Sequence, residues 1–222
     1  MAPTRVPVLV FGGPGGGEVA AQILGDVRRS GGPLELRGYL NDRLPSGQPL
    51  LDGRVLGPFR SWVDQPEETC FVAPLHKLAE MQARLRAIEA LGIPDSRWAR
   101  VVHPSAAVAG NVQLAEGTLV GSHTTIQPGA RLGSHVALRH GVMVGHDSCL
   151  ERFVFVGGNT TLCGRAYVEE GAYLAPGSLV REDVRIGRFA TVGLGAVVLR
   201  DVEPYSTVVG NPARLLSGTP RS

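Results

Sequence analysis

The chain has 222 residues, 43% of them hydrophobic, and its 22 Lys and Arg against 20 Asp and Glu leave a formal charge of +2. That composition excludes a disordered or collagen-like chain and is enough for a sizeable core. So even a charge balance gives no reason to expect a polyanion such as nucleic acid as partner, and points to a small ligand instead. Cys70, Cys149 and Cys163 form no C-x-x-C pair, so neither a disulfide framework nor a cysteine zinc cluster is expected and the thiols read as reduced filler. The apolar run Val6 to Phe11 is too short for a membrane span or a signal peptide, and the chain is expected to be cytoplasmic. Thirty glycines with only 5% aromatics predict many tight turns around small aliphatic side chains.

The first 100 residues read as a Rossmann-like half-sheet. Val8-Leu9-Val10-Phe11 is a short buried strand running into Gly12-Gly13-Pro14-Gly15-Gly16-Gly17, and Glu18 to Arg29 has helical composition with Val19, Ile23 and Val27 on one side. Gly15, Gly17 and Ala20 satisfy a relaxed G-x-G-x-x-A spacing, in which glycines let backbone approach a phosphate at a helix N-terminus. A second strand, Leu36 to Leu40, ends in Asn41-Asp42, where a ribose- or base-binding acid sits in such folds. A third, Cys70 to Ala73, precedes a helix predicted from about His76 to Leu91. This is half of a dinucleotide domain, which favours a mononucleotide or nucleotide-sugar over NAD; a purely structural cap on the segment that follows stays open.

Residues 101–203 repeat. Stepping by six from Val102 to Val198 visits seventeen positions, all Val, Leu or Ile, and the residue four further on is small or β-branched each time. A period of six fits neither a helix nor a simple strand, so each unit is a short strand and a turn, and three units close one triangular coil. At about 4.8 Å per coil the repeat makes a parallel β-helix about 27 Å tall. No insertion breaks the register, so ligand sites are expected on the outer wall. Residues 204–222 read as a C-terminal tail.

The order of GGPGGG at 12–17, Tyr39-Leu40-Asn41-Asp42, Val55-Leu56-Gly57-Pro58, Val102-His103-Pro104-Ser105-Ala106, Gly145-His146-Asp147 and Val209-Gly210-Asn211-Pro212-Ala213-Arg214 resembles the NeuD/PglD-type sugar O- and N-acyltransferases over nearly the whole chain. Within that group it is most similar to acetyl-CoA-dependent N-acetyltransferases of nucleotide-linked 4-amino sugars, such as UDP-4-amino sugars and GDP-perosamine. The resemblance implies a left-handed parallel β-helix, a homotrimer with active sites between subunits, acetyl-CoA as co-substrate without a metal, and a place in glycan or lipopolysaccharide O-antigen assembly. It implies His146 as general base, Asp147 as its carboxylate support, and the Gly164 N–H, one coil above, as oxyanion donor. Pro14, Gly15, Gly16, Asn41 and Asp42 would hold the nucleotide, and Arg139 and His140 would face the sugar. Acetyl-CoA would run along Phe155, Gly164, Ala175, Pro176, Gly193 and Leu194. Arg181, Arg185 and Arg188 either meet its phosphates or form a solvated face.

Departures from the family pattern keep alternatives open. Arg139 stands where Asn is common, so the acceptor could carry a carboxylate, as for a sialic-acid-type O-acetyltransferase. Phe155 stands where a His is common, and Pro14-Gly15-Gly16 replaces Ser-Gly-His. His135 and His140 have a spacing that suggests the zinc site of γ-class carbonic anhydrases, but the histidine two coils earlier is missing. The other histidines are expected on solvated turns, with His76 at a helix start. Cys149 and Cys163 adjoin ladder positions and read as buried and inert, so transfer is expected to be direct rather than through an acyl-cysteine. A non-catalytic nucleotide-sugar-binding scaffold is the remaining alternative.

Overall fold

The computed structural model describes residues 5–216. The N-terminal part is a five-stranded sheet of β1 (Val6–Phe11), β2 (Leu34–Leu40), β3 (Pro49–Leu50), β4 (Gly53–Gly57) and β5 (Cys70–Val72) in the order β3-β4-β2-β1-β5. All pairings are parallel except the β3–β4 hairpin. Helix α1 (Gly16–Arg29) links β1 to β2 and buries Ala20, Ala21, Ile23, Leu24 and Val27. The chain leaves β1 toward β2 on one side and returns as β5 on the other, so the carboxyl end of β1 is the sheet's switch point. The second helix, α2 (Met81–Glu89), is shorter than the run of helical composition predicts. Residues 74–80 form an irregular segment with Ala79 at φ 66°, and His76 is held against the coils rather than starting the helix.

From Val101 the chain winds into triangular coils whose strands stack into three parallel faces. The first face runs from Val101–Val102 through Ala137–Leu138 and Phe155–Val156 to Thr191–Val192, and is extended by Thr207–Val209 and an antiparallel Arg214–Leu215. The second face runs from Ala107–Val108 to Val197–Val198, and the third from Gln113–Leu114 to Arg185–Ile186. Neighbouring rungs pair with a step of eighteen residues, as in Thr125 with Met143 and Arg131 with Cys149. The register ends where Thr191 pairs with Thr207. These stacked parallel strands fit the β-helix that the hexads predict.

The aliphatic ladder fills the prism, with Leu138, Val144, Val156, Leu162, Val168 and Leu174 fully buried. The small residues at the corners serve a second purpose. Thr124, Ser148 and Thr160 are buried, and their hydroxyls donate to carbonyls of the next coil, Thr124 to Arg139 O at 3.0 Å, Ser148 to Cys163 O and Thr160 to Ala175 O at 3.1 Å. Most corners also place one residue in the left-handed region, at His123, His135, Asp147, Asn159, Arg165 and Asp183 among others, so the positive φ of Asp147 (57°) belongs to the turn rather than to any chemistry.

The N-terminal domain packs on the first face and on the corner between the third and first faces. Leu119 and Ala137 join its core, Trp98 meets the His135 ring edge-on at 4.6 Å, and His76 stacks on Phe153 at 4.2 Å. His103 Nε2 lies 3.2 Å from Asp26 Oδ2 at the end of α1, and Arg152 reaches Glu89 of α2 at 2.5 Å. His76 and His135 are thus half-buried with their Nδ1 atoms shielded from solvent, a correction to the solvated turn expected of His135. Burial pushes His76 down to about 3 and His135 to about 4, so both rings are neutral, and the Nε2–H of His76 donates to His135 O at 3.0 Å.

Candidate active site

The corner between the second and third faces carries the expected catalytic residues. Three columns of residues eighteen apart build it: Gln127, Gly145 and Cys163; Pro128, His146 and Gly164; Gly129, Asp147 and Arg165. The His146 N–H donates to Gln127 Oε1 at 3.0 Å, and His146 Nδ1 lies 2.8 Å from Asp147 Oδ2. With Nδ1–H donating to the carboxylate, Nε2 keeps a free lone pair, the tautomer a general base needs. The imidazole lies over Gly164 of the next coil: a Cβ built there would run into Nε2 and come within 2.9 Å of Cε1. Gly129 leaves the corresponding room under the Asp147 carboxylate. One and two coils above Asp147, Arg165 grips Asp183 with two bonds of 2.6 and 2.7 Å, which holds the Asp183 carboxyl below its ordinary range. Asp183 in turn feels the nearby His146. The structure thus brings His146, Asp147 and Gly164 together.

The expected nucleotide residues converge elsewhere. Pro14 and Gly16 after β1, Asn41 and Asp42 after β2, and Pro74, Leu75 and His76 after β5 line a cavity of about 480 Å³ at the carboxyl ends of the strands. Gly15 begins α1 with φ 82°, and Gly16 passes so close to Pro74 O that a Cβ would meet it at 2.8 Å. Asn41 Oδ1 accepts from the Arg43 and Leu44 N–H groups at 2.8 and 3.0 Å, shaping the loop. Asp42 Oδ1 accepts from Phe59 N–H at 2.7 Å. Lys77 and Arg84 also line the cavity, and both pair with Glu80. The sequence reading missed His76, Lys77 and Arg84 as lining residues; a polar residue directly after a third strand end was the available signal.

Of the residues expected along acetyl-CoA, Ala175, Pro176, Gly193 and Leu194 lie with Arg139 and His140 at the corner between the first and second faces, and Leu194 is 76% exposed. Within one chain this corner and the His146 corner are opposite edges of the second face. Phe155 is apart from both, stacked on Tyr173 at 4.6 Å on the first face and 5.7 Å from the His76 ring. Arg185 and Arg188 are engaged with Glu169 and Glu170, while Arg181 is exposed at the His146 corner. His135 and His140 flank opposite ends of one strand, and among the described residues no group of three or more His, Cys, Asp or Glu could hold a metal. Cys149 and Cys163 are half-buried on the outer wall, a correction to the buried thiols expected, because each adjoins an inward aliphatic and therefore points outward.

Triangular coils of stacked parallel strands fit the fold of the hexapeptide-repeat acetyltransferases. No family model matches the chain. In structure it is similar to the acetyltransferase domain of PglB from Neisseria gonorrhoeae FA1090, at 25% identity and a TM-score of 0.83 over 96% of this chain and 100% of that one. It is also similar to PerB from Caulobacter crescentus, solved with CoA and GDP-perosamine, at 25% identity and a TM-score of 0.81 over 95% and 97%. Both likenesses bear out the resemblance to the NeuD/PglD-type proteins. In sequence, 52 residues are 42% identical to dTDP-3-amino-3,6-dideoxy-alpha-D-galactopyranose 3-N-acetyltransferase of Aneurinibacillus thermoaerophilus, matching 23% of this chain and 27% of that protein. The chain spans between 15% and 27% of the curated relatives it matches. Among the described residues no helix is long and apolar enough to cross a membrane.

Proposed function

We propose that the protein is an acetyl-CoA-dependent N-acetyltransferase acting on the amino group of a GDP- or UDP-linked 4-amino-deoxy sugar, in the cytoplasm and in the service of glycan or O-antigen assembly. The observation that carries this reading is the His146–Asp147 pair lying over Gly164, on a chain that matches PerB over nearly its full length. The amine nitrogen attacks the thioester carbonyl carbon, a C–N bond forms and the C–S bond breaks. His146 Nε2 takes the proton lost by the amine and returns it to the leaving thiolate, while Asp147 stabilises the imidazolium between the two events. The Gly164 N–H has no acceptor among the described residues and is available to the oxyanion. No acyl-enzyme is needed.

The active enzyme is a homotrimer in this reading. The second face presents Ala107, Thr125, Met143, Thr161, Leu179 and Val197 outward, apolar or uncharged throughout, with Leu179 45% exposed. Packing that face about a three-fold axis carries the His146 corner of one copy toward the Pro176 and Leu194 corner of the next, which would complete a site that one chain leaves divided. The test is thiol release from acetyl-CoA across UDP-, GDP- and dTDP-linked amino sugars and free sialic acid, with product masses recorded. A gain of one acetyl group on a nucleotide-linked amino sugar is expected. Acetylation of sialic acid alone would replace this reading by the O-acetyltransferase, and inactivity on the whole panel would refute it.

A further inference from the structure

Arginines on the outer wall of the coils that meet other side chains are mostly neutralised: Arg152, Arg165, Arg185 and Arg188 all pair with carboxylates. Arg139 does not. It is half-buried at the corner between the first and second faces, and among the described residues no carboxylate lies within ion-pair distance of it. Burial pushes its guanidinium below the ordinary arginine value, whereas the four paired arginines are all raised. The residues one coil below and above it, Gly121 and Gly157, have no side chain, so nothing on its own column fills the space beside it.

Its surroundings supply no carboxylate. Tyr173 lies close enough that each group perturbs the other, and burial raises the Tyr173 hydroxyl. That hydroxyl has no hydrogen-bond partner among the described residues, whereas the equivalent Tyr167 on the third face is tied to Glu151. The Tyr173 ring stacks on Phe155, which neighbours His76, and His76 lines the cavity at the carboxyl ends of β1, β2 and β5. His76 also feels the Arg139 charge, and an imidazole cannot act as a counter-ion to a guanidinium. A half-buried guanidinium gains from an anionic partner, and none of the described residues supplies one.

We infer that Arg139 and the Tyr173 hydroxyl form an oxyanion subsite for the acceptor, between the nucleotide cavity and the edge of the second face where acetyl transfer takes place. This rests on the reading of the protein as a nucleotide-sugar acetyltransferase and narrows its substrate class. The oxyanion is either a carboxylate on the sugar ring, making the acceptor an acidic amino sugar, or the diphosphate that links sugar to nucleoside. A planar guanidinium grips either through two parallel N–H donors, which a lysine could not reproduce.

Calorimetric titration of the intact protein and its Arg139→Gln and Tyr173→Phe variants with UDP, UDP-glucose and UDP-glucuronate, and with GDP, GDP-mannose and GDP-mannuronate, tests this without any acetyl transfer. Loss of about tenfold or more in Arg139→Gln for the uronate alone assigns the carboxylate, and equal loss for all three members of a set assigns the diphosphate. Tyr173→Phe, which removes one oxygen and leaves the stacked ring, is expected to weaken the same ligand by a smaller factor and serves if the arginine variant does not fold. Affinities unchanged within about twofold in both variants would overturn the subsite and leave the nucleotide cavity standing. Failure of the unaltered protein to bind either set would overturn the nucleotide-sugar reading itself, and this subsite with it.

Discussion

Substituting Gly164 by Ala isolates the geometry of the proposed base from the stability of the fold. Gly164 does not have a positive φ, so an alanine there is not strained by its backbone. The added methyl meets His146 instead, with Cδ2 and Cε1 at 2.8 and 2.9 Å and Nε2 closer still. Carbon atoms rest at about 3.5–4.0 Å, so the imidazole has to withdraw by roughly 1 Å. The His146 side chain is half exposed, so it swings into solvent and takes little folding energy with it, on the order of 0.5 kcal/mol. Catalysis does not share that freedom, because the 2.8 Å bond to Asp147 and the approach of Nε2 to the amine are both lost. A displacement of that size costs about a hundredfold in rate. The assay is kcat/KM for thiol release alongside thermal unfolding, with a shift in Tm of no more than about 2 °C expected. Activity within a few-fold of the unaltered protein, at unchanged Tm, would refute the assignment of His146 as base.

His146→Ala is expected to lower turnover by about 10²–10⁴ with little change in stability, read from the same two measurements. Leu179→Arg places a charge on the outward, exposed second face; sedimentation should show monomers in place of trimers, with activity lost although each chain remains folded, and a fully active trimer would contradict the packing proposed for that face. The shielded histidines give a pH signature. His76 at about 3 and His135 at about 4 lie below the ordinary value near 6.5, so the unfolded chain binds more protons than the fold below that pH. Their contribution is complete above pH 6.5 and is lost as the pH falls toward 4, at up to about 1.4 kcal/mol per pH unit for each ring. Chemical unfolding at pH 7, 6 and 5 should show that slope, and His76→Gln should remove about half of it.

The coils were readable because their period is local and their core is one residue in six. Val102 through Val198 declare the inward ladder, and the fold follows from strand spacing alone. The N-terminal details were less legible for reasons that lie outside each segment. Residues 76–80 have helical composition, but His76 is claimed by Phe153 and the His135 carbonyl, contacts 59 or more residues away. His123 and His135 occupy the same position in their hexads, and the docking of Trp98 and His76 half-buries one and leaves the other exposed. The β3–β4 hairpin has no alternation to betray it. At the candidate site the pairing of His146 with Asp147 and the eighteen-residue step to Gly164 could be read from the chain. The engagement of Arg185 and Arg188 could not, since it depends on Glu169 and Glu170 being brought beside them by the coil below.

Because every rung repeats after eighteen residues, the prism behaves as a counted scale. Inserting or deleting eighteen residues in the coil from Val168 to Ile186 would change its height by about 4.8 Å and leave each corner above its own predecessor. Six residues would instead turn everything beyond the change by one third of a revolution, carrying the Arg181 and Asp183 rung from the His146 corner onto a different edge. Length changes in this chain therefore come in two kinds, those that move parts along the axis and those that re-assign them to a new side, and only the first preserves the columns on which the corner chemistry is stacked.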